Sequence, residues 1–100
     1  VSSTATTATL DSAVMLGGFT SITIGTDGLG LISYYYDFVL KVAHCSNTAC
    51  SSATTTTVDA TTAVGKYTSL EVGADGLGLI SYWDYTNDDL KAAHLGIGVP

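Results

Sequence analysis

The sequence contains one stretch of eight residues twice, Asp-Gly-Leu-Gly-Leu-Ile-Ser-Tyr at positions 27–34 and again at positions 75–82, 48 residues later. An identity of this length inside a chain of 100 residues indicates an internal duplication. We therefore read the chain as two copies of one unit, residues 1–50 and 51–100, which together form one structural unit. The fold must be one that can be built by repetition.

Four segments in each copy have the composition or the period-two alternation of β-strands. They are residues 2–10, 17–25, 31–36 and 40–44 in the first copy, and residues 51–58, 65–73, 79–84 and 90–94 in the second. The Thr-rich segments 2–10 and 51–58 are compatible either with outer strands or with an O-glycosylated linker, and their repetition favours strands. The 31–36 and 79–84 segments carry large residues on both faces, which predicts a layer on each side.

The Asp-Gly pairs that open the repeated stretch, Asp27-Gly28 and Asp75-Gly76, predict hairpin turns of type I′. A calcium loop would need several oxygen ligands at fixed spacing, and this pattern does not occur. We expect neither a metal ion nor a cofactor. Cys45 and Cys50 predict a disulfide across a tight connection, because the adjacent His44 would point to the opposite face of a strand. A disulfide implies an extracellular or cell-surface location.

The charge of the chain excludes two classes of partner. Lys and Arg together number 3 against 9 acidic residues, which gives a net charge of -6. Nucleic acids and anionic membrane surfaces both require a basic face. No apolar run approaches the ~20 residues that a membrane-spanning helix needs. We therefore expect no nucleic-acid partner and no membrane partner.

A repeat of about 48 residues with four strands has the size of one β-propeller blade, and a two-sheet sandwich is the alternative. The runs SITIGTDGLGLISYYYD and LKVAHC, with the second-copy run SLEVGADGLGLISYWDYTNDDLKAAH, resemble bacterial secreted β-propeller repeats with an I-S-Y-x-D core followed by L-K-V-A-H-C. The resemblance covers nearly the whole chain and implies an all-β fold of two four-stranded antiparallel blades. Tyr36 replaces the Asp of that pattern, the turn after it is shorter, and Leu95 replaces a Cys.

Two blades are fewer than the roughly four to eight that close a propeller. We therefore expect a homo-oligomer, either a closed ring of three or four chains or an open filament. The first Thr-rich strand is then expected to complete a blade begun by another chain.

The copies differ most after the repeated stretch, and this variable region is the candidate ligand site. It contains two aromatic residues beside carboxylates and an amide, a combination suited to sugars: Trp83, Tyr85, Asp84, Asn87 and Asp88. No Gly-x-Ser-x-Gly or His-Glu-x-x-His motif occurs, and the two copies share no pair of carboxylates of the kind glycosidases use. We expect a non-enzymatic, self-assembling extracellular module with multivalent, lectin-like carbohydrate binding. The alternative is a purely structural surface or filament building block.

Overall fold

The computed structural model describes residues 5–12, 18–61 and 64–96, and the regular structure in these ranges is entirely β-strand. Four strands form an antiparallel first sheet in chain order: β1 (Ser21–Ile24), β2 (Gly30–Tyr36), β3 (Val39–Cys45) and β4 (Ala53–Asp59). Three strands form an antiparallel second sheet: β5 (Val64–Val72), β6 (Gly78–Asp84) and β7 (Asp89–His94). The all-β prediction is confirmed.

The sheets are offset by one strand from the sequence repeat. Strand β4 belongs to the second copy but pairs with β3 of the first, with Thr57 opposite Lys41 and Thr54 opposite His44. The strand predicted for the Thr-rich segment 51–58 is therefore confirmed. The matching prediction for residues 2–10 is wrong for residues 5–10, which form no strand, and residues 2–4 lie outside the described ranges. An extended segment becomes a strand only where a neighbouring strand accepts its hydrogen bonds.

The turn of the β1–β2 hairpin has a different type from the one predicted. The Gly28 amide donates to the Gly25 carbonyl at 3.0 Å, and the Gly25 amide donates to the Leu29 carbonyl at 2.9 Å. Gly28 has φ +80°, whereas Asp27 is not among the residues with positive φ. This is a type I turn closed by a left-handed glycine, so the type I′ prediction is wrong. Asp27 instead accepts the Leu29 amide at 2.9 Å.

A two-residue turn with positive φ at both central positions does occur, between β2 and β3. Asp37 and Phe38 have φ values of 46° and 69°, and they connect the paired residues Tyr36 and Val39. The first copy is shorter than the second at this point, which leaves room only for a two-residue loop. Phe38 packs edge-on against Tyr35, with ring centroids 6.2 Å apart, and this contact offsets part of its backbone strain.

The core lies between the two sheets. The face of the first sheet that points toward the second contributes Leu31, Leu40 and Val42 to it. The second sheet and the segment after it contribute Val64, Leu70, Ile80, Tyr82 and Leu95. Strand β2 is buried on both faces, as predicted. Strand β6 is buried on one face only, because no layer in the described chain covers the other, and the two-layer prediction is wrong for it.

A disulfide joins Cys45 and Cys50, with Cα atoms 4.8 Å apart, and this prediction is confirmed. Cys45 packs against Gly30, where an added Cβ would lie 2.8 Å from the Cys45 Sγ. In the second sheet Leu95 takes the same place against Gly78, where an added Cβ would lie 2.7 Å from its Cδ1. A leucine side chain therefore fills in one sheet the space that the disulfide fills in the other.

Candidate functional site

A carboxylate whose side chain is only 9% exposed links the two sheets. Asp59, the last residue of β4, accepts hydrogen bonds from the Tyr82 hydroxyl at 2.5 Å and from the Lys91 Nζ at 2.8 Å. Its other oxygen accepts the Thr61 amide at 3.0 Å and the Thr61 hydroxyl at 2.7 Å. Burial alone would raise the pKa of Asp59, but the bonds from Lys91, Tyr82 and Thr61 outweigh it and hold that pKa well below its usual range. We call this set of residues the second latch.

The same arrangement occurs on the first sheet, and we call it the first latch. Asp11 accepts the Tyr34 hydroxyl at 2.7 Å and the Lys41 Nζ at 3.3 Å. The hydrogen bond from Tyr34, followed by the hydrogen bond and the positive charge of Lys41, lowers the pKa of Asp11. Burial and the Asp11 carboxylate raise the pKa of Tyr34. The segment that ends at Asp11 therefore contacts the first sheet in the way that the end of β4 contacts the second sheet.

The first latch covers a hollow. Residues 8–11 stand over a space of about 210 Å³ whose floor includes Ile32, Tyr34 and Ala43. The corresponding side chains of the second sheet, Ile80 and Tyr82, are buried in the core against the first sheet. The hollow therefore lies where a preceding sheet would pack.

Equivalent positions in the two copies differ sharply in exposure. On the first sheet Leu40 is 0% exposed, whereas its counterpart Leu90 is 85% exposed. At another position the second sheet carries the buried residue: Leu70 is 2% exposed, whereas its counterpart in the first sheet, Ile22, is 63% exposed. The side chains are of one chemical type, so the difference arises from what covers them.

These exposures define two surfaces. The front face is the outer face of the second sheet, and its exposed residues are Ser69, Glu71, Leu79, Ser81, Leu90, Ala92 and His94. The back face is the outer face of the first sheet and carries Ile22, Ile24 and Ile32. Inside the chain, residues equivalent to these two surfaces pack against each other and form the core.

Hydrogen bonds also cross the interface between the sheets. The Ser33 hydroxyl lies 2.8 Å from the Thr68 hydroxyl, and the Leu70 amide donates to the Ser21 hydroxyl at 3.1 Å. The front-face counterparts of the two serines are Ser81 and Ser69, and both are exposed. The front face thus repeats the polar as well as the apolar part of the internal interface.

The predicted ligand residues lie at one end of the interface, in an aromatic cluster. The Trp83 ring lies 5.6 Å from that of Tyr67 and 5.5 Å from that of Tyr85, and its Nε1 donates to Asp88 at 3.2 Å. Lys66 places its Nζ 4.2 Å from the Tyr85 ring centroid. Burial, with a hydrogen bond to Tyr35, raises the pKa of Tyr85 to about 12.

The remaining predicted ligand residues serve the β6–β7 turn. Asp84 is buried and accepts the backbone amides of Thr86 and Asn87, each at 3.2 Å, and the Asn87 side-chain amide at 3.0 Å. The structure therefore brings Trp83, Tyr85 and Asp88 together but places Asp84 in the turn. Sequence reasoning missed Tyr67, although an aromatic residue at the same place in both copies was a usable signal.

Each histidine is paired with the aspartate of a hairpin turn. His44 Nε2 lies 2.7 Å from the Asp27 Oδ2, and His94 Nε2 lies 2.6 Å from the Asp75 Oδ2. The backbone amides of the turns, followed by the histidines, lower the pKa values of both aspartates. Within residues 5–12, 18–61 and 64–96 there is no group of three His, Cys, Asp or Glu that could hold a metal ion. No helix in these ranges is long and apolar enough to cross a membrane.

Comparison with protein-family models, with curated proteins and with solved structures finds no match to this chain.

Proposed function

We propose that this chain is a non-enzymatic structural module that assembles with copies of itself by stacking sheets head to tail. The front face of one copy packs on the back face of the next, as the first sheet packs on the second inside the chain. The observation that carries the proposal is the exposure of Leu90 at a position whose counterpart, Leu40, is fully buried.

The energetics favour such stacking. Burying one leucine or isoleucine side chain is worth about 1.5–3 kcal/mol. The two faces expose four large aliphatic side chains, namely Ile22, Ile24, Leu79 and Leu90. An apolar surface of this kind on a small protein is typical of an interaction site. Ser69 and Ser81 add the polar contacts that fix the relative position of the stacked sheets.

Head-to-tail stacking of these sheets would build either a propeller-like ring or a filament. The antiparallel strand order β1-β2-β3-β4 is that of a propeller blade, and it supports the resemblance to secreted propeller repeats. A head-to-tail interface closes into a ring when its rotation permits and otherwise grows as a filament. We propose a ring of three or four chains or an open filament, located outside the cell, where the Cys45–Cys50 disulfide would persist.

The oligomeric mass of Leu90→Asp tests this function. We expect the wild type to form oligomers at micromolar concentration in light scattering, and Leu90→Asp to remain a folded monomer, because it buries a charge in the interface. Thr48→Asp adds the same charge in the exposed β3–β4 connection and should assemble like the wild type. A monomeric wild type, or a Leu90→Asp variant that assembles normally, would refute the proposal.

Carbohydrate binding is the second candidate, and the aromatic cluster is the observation that favours it. Tyr67 is 64% exposed beside Trp83, so a sugar ring could stack there. However, Trp83 corresponds to Tyr35, which is buried in the internal interface beside Phe19 and Lys66. Head-to-tail stacking would cover Trp83 in the same way, so one free end of a filament would present this site and a closed ring would not present it.

Glycan arrays probed with three monomeric variants separate the candidates. If sugars bind at Trp83, an Ile22→Asp monomer should bind at least as well as the assembled wild type, because its new charge lies on the back face and not opposite Trp83 as in Leu90→Asp. Binding should be lost when Trp83→Ala is added to that monomer. Adding Phe38→Ala, which removes an exposed aromatic outside the Trp83 contacts, should leave binding unchanged. No glycan signal from the monomer would remove this candidate and leave the structural function in place.

A further inference from the structure

We infer that residues 5–11 of one copy add to the open edge of β7 in another copy as its missing fourth strand. The inference rests on the proposed head-to-tail assembly and specifies how its backbone is joined. It defines an acceptor edge, a donor segment and a register.

The acceptor is the outer edge of β7. In the first sheet, β3 pairs with β2 on one side and with β4 on the other. In the second sheet, β7 pairs with β6 but has no strand on its other side within the described part of the chain. An edge of this kind presents unpaired amide and carbonyl groups that can accept an additional strand.

The donor resembles the strand that fills the equivalent edge. Residues 5–11 read Ala-Thr-Thr-Ala-Thr-Leu-Asp, and β4 reads Ala-Thr-Thr-Thr-Thr-Val-Asp, so five of seven positions are identical. Residues 5–9 are exposed and belong to no sheet in this chain. The donor therefore has the sequence of an edge strand but lacks the neighbour that would make it one.

The latches place the donor in the correct position. Asp59 ends β4 and reaches across to Tyr82 and Lys91 of the sheet that follows. Asp11 makes the same contacts with Tyr34 and Lys41, so its segment is already anchored to the sheet that would follow it in a stack. A copy packed by its back face on a preceding front face would thereby lay residues 5–11 beside the preceding β7.

The internal pairing gives the register. Thr54, Thr56 and Thr57 of β4 lie opposite His44, Val42 and Lys41. Transferred to the equivalent positions, this register places Thr6 opposite His94, Ala8 opposite Ala92 and Thr9 opposite Lys91 of the neighbouring copy. A shift of one residue would turn the apolar and polar sides of the donor around.

Cysteine cross-linking between copies tests the register. Directly opposed residues of antiparallel strands have Cα atoms about 4.5–5.5 Å apart, within the range that a disulfide can bridge. We expect a mixture of Ala8→Cys and Ala92→Cys single variants to form a mixed dimer under mild oxidation. The control mixture of Thr7→Cys and Ala92→Cys is out of register by one residue. It should cross-link at least about tenfold less, since the two side chains would point to opposite faces.

A proline in the donor provides an independent measurement. Thr7→Pro removes one backbone donor from a segment that forms no strand in the monomer, so the fold should persist. We expect it to raise the concentration needed for assembly by about tenfold or more, as expected from the loss of one or two hydrogen bonds.

The outcomes separate this inference from the proposed function. Assembly of Thr7→Pro at wild-type concentrations, together with no register-specific cross-link, would overturn strand donation and leave face stacking intact. A disulfide at monomeric mass in the Ala8→Cys, Ala92→Cys double variant would show that the segment folds onto its own β7, which also overturns the inference. A monomeric wild type would refute both proposals together.

Discussion

Removal of one hydroxyl from the second latch should lower the stability of the protein measurably. In Tyr82→Phe the ring stays in the core, and Asp59 loses the hydroxyl donor at 2.5 Å. A hydrogen bond to an ionised group is worth about 1.5–3 kcal/mol. Asp59 keeps its bonds from Lys91 and Thr61, so we expect a loss near the lower limit, about 1.5 kcal/mol.

The measurement is the free energy of unfolding from urea denaturation of the Leu90→Asp monomer background, where assembly does not contribute. Tyr34→Phe is the matched control, because its hydroxyl bonds Asp11 in a segment outside the sheets. We expect the control to lower the unfolding free energy by less than Tyr82→Phe does, because Asp11 belongs to a segment that pairs with no strand. Equal losses in the two variants, or no loss in Tyr82→Phe, would refute the argument that Asp59 holds the sheets together.

The second latch also predicts how stability depends on pH. The folded-state pKa of Asp59 lies below its ordinary value of 3.8, so its contribution is present above pH 3.8 and is lost progressively as the pH falls below that value. Burial and Asp59 raise the pKa of Tyr82 above its ordinary value of 10.0, so its contribution is present below pH 10.0 and is lost as the pH rises further. Tyr82→Phe should reduce the alkaline loss.

Two further changes test the packing and the disulfide. Gly65→Ala should destabilise by about 1–3 kcal/mol or more, because Gly65 has φ +104° and the new Cβ would lie 3.0 Å from the Leu40 Cα. Gly96→Ala, where a Cβ would meet nothing within 4 Å, should be neutral in the same urea titration, and equal effects would contradict the packing argument. Reduction of the Cys45–Cys50 disulfide should lower stability by about 2 kcal/mol, as expected for a loop this short. A thermal melt with and without a thiol reductant measures this loss, and an unchanged melting temperature would contradict it.

The three central strands of each copy and their antiparallel order were predictable from the sequence because they depend on local signals. The alternation in Leu31–Tyr36 and Leu79–Asp84 places β2 and β6 within one residue of their observed bounds. The Asp-Gly pairs predicted the hairpins before these strands. The turn types were not predictable in the same way. The loop with two positive φ values is Asp37-Phe38, where chain length rather than residue preference enforces it.

The sheet to which a Thr-rich strand belongs could not be read from the sequence. Residues 5–11 and β4 have nearly the same composition, but only β4 has a strand beside it. The difference is tertiary, because an edge strand with polar side chains carries no burial pattern that identifies its neighbour. The exposure of Leu79 and Leu90 could not be predicted either, because their counterparts in the first copy, Leu31 and Leu40, are also leucines but are buried.

The contacts of the two latches were only partly predictable from the sequence. Asp59 lies 23 residues before Tyr82 and 32 residues before Lys91, so no local motif joins them. The same three residue types nevertheless recur at equivalent places in the first copy as Asp11, Tyr34 and Lys41. In a duplicated chain, paired polar residues in both copies are a usable signal for a shared contact. The acidic residue of the variable turn, Asp84, had no such counterpart and proved to hold the turn itself.

The geometry of the two faces also distinguishes between modes of self-association. A two-fold contact of front face with front face would bury Leu90 of both copies, but it would leave the back face and its hollow uncovered. It would also leave β7 without a partner and residues 5–11 without a sheet. Head-to-tail stacking would cover both faces and place Leu90 and Ala92 of the preceding copy over the hollow, as Leu40 and Val42 pack on the second sheet inside the chain. In this arrangement Leu90 and Ile22 of neighbouring copies would be covered as their counterparts Leu40 and Leu70 are covered inside the chain.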